Sequence, residues 1–156
     1  MRRIWLAFAL AVLATTSCGG PKSAHRVDRP FEIVVSSDAE TLDPRYAVDA
    51  VGLRVTRMIH AGLVRLDPNT LEPIPYLART WEWLGDKTLV IQLQPDLRFH
   101  SGAPFEARDV VETLRAFADP KVASRHARVV EAISGVHAEG SSIVVITLKR
   151  PHATLL

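Results

Sequence analysis

Six histidines and one cysteine are the side chains best suited to nucleophilic, acid–base or metal chemistry in this chain. The histidines are His25, His60, His100, His126, His137 and His152. No two are four residues apart, so no helix would present two imidazoles to one metal ion. A single cysteine, Cys18, cannot form a thiolate pair. There is no Gly-rich dinucleotide fingerprint, no phosphate-binding loop and no HExxH. Serines and aspartates are frequent, but nothing selects a nucleophile and its base from them. Each histidine is therefore read as a surface or partly buried polar residue. Trp81 and Trp83 are read as core or lobe-interface residues rather than a ligand platform. The chemistry present is that of binding. No enzyme, no metal site and no cofactor is expected.

Length and charge narrow the class. The chain has 156 residues, enough for about one domain. It is 47% hydrophobic and 23% charged, which excludes a disordered chain. Lys and Arg number 19 against 17 Asp and Glu. Arg2 and Arg3 account for that excess, so the rest is neutral by count and no basic stripe argues for nucleic acid.

Those arginines open a leader. Residues 1–17 run from a positive start through the apolar stretch Ile4–Ala14 to small residues, as in a secretory signal. The apolar stretch is shorter than the ~20 residues that span a bilayer. Cys18 follows Thr15-Thr16-Ser17 and precedes Gly19, and the arrangement resembles a bacterial lipoprotein signal, with Cys18 as the lipidated residue. Thr15 departs from the usual leucine at its position. With one cysteine there is no intramolecular disulfide, so stability must come from the core. Residues 18–30, polar with Gly and Pro, read as a flexible tether.

The body alternates strands and helices. Phe31–Ser36 (FEIVVS) reads as a buried strand. Asp43-Pro44 marks a turn. Val51, Val55, Met58, Ile59 and Leu63 recur at helical spacing and predict a helix over 48–63 ending near Gly62. Leu63–Leu66 predicts a short strand. Thr80–Leu84 and Thr88–Leu93 flank Gly85-Asp86-Lys87 as a hairpin, with Trp81 and Trp83 on one face. A helix from Glu106 carries the stripe Val110, Val111, Leu114, Phe117 and Ala118, and ends at Asp119-Pro120. A second helix is expected over Ser124–Ile133. A last hairpin pairs Gly135–Ala138 with Ser142–Leu148. Ala153–Leu156 reads as the start of a buried segment, so a fragment is expected.

The motifs resemble, in order, those of bacterial extracellular solute-binding proteins of family 5. Thr41-Leu42-Asp43-Pro44 is similar to the opening TLDP element. Gly62-Leu63-Val64 and Leu71-Glu72-Pro73 resemble the GLV and LEP elements. Pro75-Tyr76-Leu77-Ala78 with Trp81 resembles PxLAxxW. Phe99-His100-Ser101-Gly102-Ala103-Pro104-Phe105 resembles F-H-x-G-x-P-F. Thr147-Leu148-Lys149-Arg150-Pro151 resembles the T-x-L-x-x-P strand end. The resemblance covers residues 31–156. Glu106 stands where the family usually has a capping threonine, which predicts a weaker helix start. His60 stands where a tyrosine is common.

The resemblance implies a mixed α/β fold, the N-terminal part of a bilobed type II-like periplasmic binding protein with its small accessory domain. Residues 31–44 would start the main lobe and 45–156 would belong mostly to the accessory domain. The function implied is the substrate-binding lipoprotein of an ABC importer, exported to the periplasm or cell surface. It would bind oligopeptides or dipeptides and deliver them to a membrane permease. A nickel or metal-chelate binder, or a signalling module on the same fold, are the alternatives. Loops beyond strand ends commonly line such clefts, which makes Ser36, Ser37 and Asp38 the candidate ligand contacts.

Overall fold

The computed structural model describes residues 32–151. The leader, Cys18, residues 18–30 and residues 152–156 lie outside the described residues. From Val35 onward the chain forms one unit. Its elements are α1 (Ala50–Ile59), β1 (Val64–Leu66), β2 (Pro73–Pro75), β3 (Ala78–Leu84), β4 (Thr88–Leu93), α2 (Ala107–Ala118), α3 (Ala127–Val130), β5 (Ile133–Glu139) and β6 (Ile143–Leu148). The fold is mixed α and β, as expected, and every strand pair is antiparallel.

Two hairpins build the main sheet. β3–β4 turns at Gly85, and β5–β6 turns at Gly140, both at positive φ where glycine is strain-free. The hairpins join through β4 and β6, giving the order β3-β4-β6-β5. The central strands are the most apolar, because they alone have neighbours on both edges. Leu89, Ile91 and Leu93 of β4 are buried, alternating with half-buried Thr88, Val90 and Gln92. Leu89 pairs with Ile146 and Ile91 with Val144, so one face is continuous. Trp81 and Trp83 pair with Ile91 and Leu89 and extend that face onto β3. Both tryptophans thus share a face, as the alternation predicted. Trp81 packs against the core, while Trp83 sits nearer the edge and is 37% exposed.

Helix α2 lies over this face. Its stripe delivers Ala107, Val110 and Val111 into the core, with Leu114 beside them. The expected weakness at its start does not arise. Asp109 Oδ2 accepts the Glu106 N–H at 2.8 Å, and the Ala107 N–H donates to Ser141 O at 2.8 Å. The helix start is therefore tied to the β5–β6 turn, and backbone donors are satisfied without a threonine.

Three expectations need correction. Helix α1 ends at Ile59 rather than near Gly62, because His60 is already extended as its C-cap. The strand read over Phe31–Ser36 is not formed at residues 32–36, which are irregular and exposed; Val34 is 98% exposed. No strand among the described residues pairs with that segment, and β-propensity alone supplies no ladder. The second helix shrinks from 124–133 to Ala127–Val130, because Ser124 and Arg125 bond to a distant loop instead. Strand β2 was not anticipated. Its Pro-Ile-Pro sequence argues against a central strand, but β2 pairs only with β1, and an edge tolerates proline.

Candidate functional site

The TLDP element forms a locked turn. Thr41 Oγ1 accepts the Asp43 N–H at 3.1 Å, and Asp43 Oδ1 accepts the Arg45 N–H at 3.0 Å. The Asp43 carbonyl accepts the N–H groups of Tyr46 and Ala47. The Arg45 guanidinium closes the turn on the same carboxylate, Nε to Oδ1 at 2.9 Å and Nη2 to Oδ2 at 2.6 Å. The side-chain bonds from Arg45, with its backbone N–H, hold the Asp43 pKa down to about 2. A carboxylate whose folded pKa lies below its ordinary value stabilises fully above that ordinary value, near 3.9. The contribution fades as pH falls through about 2. Asp43→Asn is therefore expected to lower the melting temperature at pH 7. The gap to the parent chain closes between pH 4 and pH 2; a gap independent of pH would refute the ion-pair account.

Two neighbours clasp this turn. Asp49 caps α1 through Gly52 N–H to Oδ1 at 2.7 Å. A Cβ at Gly52 would stand 2.5 Å from Asp49 Oδ2, so only glycine leaves the cap in place. From the end of α1, His60 Nε2 bonds to Leu42 O at 3.1 Å. The other neighbour is the segment before α3. Ser124 Oγ and Arg125 N both donate to Arg45 O, at 2.9 and 3.0 Å. His126 Nε2 bonds to Ala47 O at 2.8 Å, and Tyr46 OH donates to Val122 O at 2.6 Å. Ala123 adopts φ 51° within the clasp.

Beside the turn lies an open cleft of about 1080 Å³. Helix α1 contributes Arg57, Ile59 and, at its cap, His60; α2 contributes Glu112, Ala116 and Phe117. The third wall is the F-H-x-G-x-P-F element. There Phe105 N–H donates to Leu97 O, and Gly102, at φ 85°, turns the chain. Phe99 and Phe105 meet edge-to-face with centroids 5.3 Å apart. Arg98 Nη1 donates to Gly102 O at 2.8 Å.

Ser36, Ser37 and Asp38 are exposed, in irregular chain, and none lines this cleft. Of the residues that do converge, the sequence marks Asp43 as a motif letter and His60 as a departure from the family pattern, and it does not single out Arg45. Asp-Pro-Arg is a readable turn with a potential ion pair two residues apart. The clasp by Ser124 and His126, about 79 residues away, leaves no local signal. Among the described residues no three His, Cys, Asp or Glu side chains converge as for a metal ion. No helix among them is long and apolar enough to cross a membrane.

The fold of this chain is shared by solved periplasmic binding proteins. NikZ from Campylobacter jejuni, solved with Ni(L-His), superposes with a TM-score of 0.70 at 31% identity, over 78% of this chain and 24% of that one. Residues 72–156 match the family described as bacterial extracellular solute-binding proteins, family 5 Middle, and the chain belongs to that family. The glutathione-binding protein GsiB of Pectobacterium atrosepticum is 28% identical over 125 residues, 80% of this chain and 24% of GsiB. A dipeptide-binding protein of Lactococcus lactis is 25% identical over 130 residues, 83% of this chain and 23% of that protein. The chain thus spans about a quarter of the length of these relatives.

Proposed function

We propose that this chain is the N-terminal part of the substrate-binding lipoprotein of an ABC importer, and that the protein binds short peptides outside the cytoplasmic membrane. The observation that carries this reading is the family match over residues 72–156. Relatives named for glutathione and for dipeptides point to a peptide ligand, and these relatives are binding proteins rather than enzymes. In this reading residues 1–17 are the signal, Cys18 carries the lipid and 18–30 form the tether. Residues 31–44 enter the main lobe, and 45–156 form most of the accessory domain. Ser36, Ser37 and Asp38 remain the candidate ligand contacts, as their exposure leaves them free to face one. Ligand binding would favour a closed form that docks on the permease.

A chelated nickel ion is the second reading, favoured by the 31% identity to NikZ. Thermal unfolding separates the two. The test uses the protein encoded by the whole reading frame containing this chain. It is melted with di- to pentapeptides, with glutathione and with Ni(L-His). A ligand at a hundred times its Kd stabilises by about 2.7 kcal/mol. Peptides are expected to raise Tm and Ni(L-His) to leave it unchanged. The reverse pattern establishes the nickel reading, and no shift with any of them overturns both.

A further inference from the structure

We draw no further inference here: the strongest candidate, the segment before α3 in which Ala123 holds φ 51° while Ser124, Arg125 and His126 grip the turn at Arg45 and Ala47, belongs to the site already described.

Discussion

Ile91→Ala is expected to cost about 2–5 kcal/mol of stability, the largest effect of any single truncation proposed for this chain. Ile91 is 1% exposed at the centre of β4. It pairs with Trp81 on one side and Val144 on the other, and α2 covers the face they share. Truncation removes the transfer energy of the lost methyl groups and leaves a cavity that a sheet pinned on both edges cannot close. Small domains are stable by only about 5–15 kcal/mol, so the loss is a large fraction of the whole. Urea unfolding should show a lower midpoint with an unchanged slope. Val90→Ala, one residue away on the opposite face, is the control, since Val90 is only half-buried. Equal losses at the two positions would mean that the helix-covered face is not the core.

Ser124→Ala is expected to cost about 1–3 kcal/mol, through unpaired polar groups rather than through volume. The Ser124 hydroxyl donates to Arg45 O at 2.9 Å and accepts the His126 N–H at 3.1 Å, and the residue is 8% exposed. Alanine strands the His126 N–H and removes one of two donors to Arg45 O. The same clasp holds the TLDP turn, so its loss should also loosen residues 42–47. Amide hydrogen exchange should then accelerate at Tyr46 and Ala47, whose N–H groups bond to Asp43 O. Tyr46→Phe removes a single, more exposed bond and should cost less. If exchange in the turn is unchanged in Ser124→Ala, the clasp does not order it.

Local pattern and structure agree where the physics is local. The two hairpins follow from alternating apolar residues around turns at 85–87 and 139–140, since the partners are close in sequence. Helix α2 follows from its stripe and from Asp119-Pro120, since its internal hydrogen bonds join residues four apart. The expected first strand does not form over residues 32–36 because a strand's hydrogen bonds must go to another strand. FEIVVS advertises a preference for the pleated state but names no neighbour, and none among the described residues supplies one.

By itself, then, the sequence determined the two hairpins and helix α2, the face on which Trp81 and Trp83 lie, and the family motifs. Each is written in residues a few positions apart. Tertiary structure alone decided that β4 joins β6, that Ser124 and His126 grip the turn at Arg45 and Ala47, and that Arg57 and Arg98 share one cleft. Those contacts join residues about 40 to 80 positions apart, and chain packing brings them together rather than any local period or spacing.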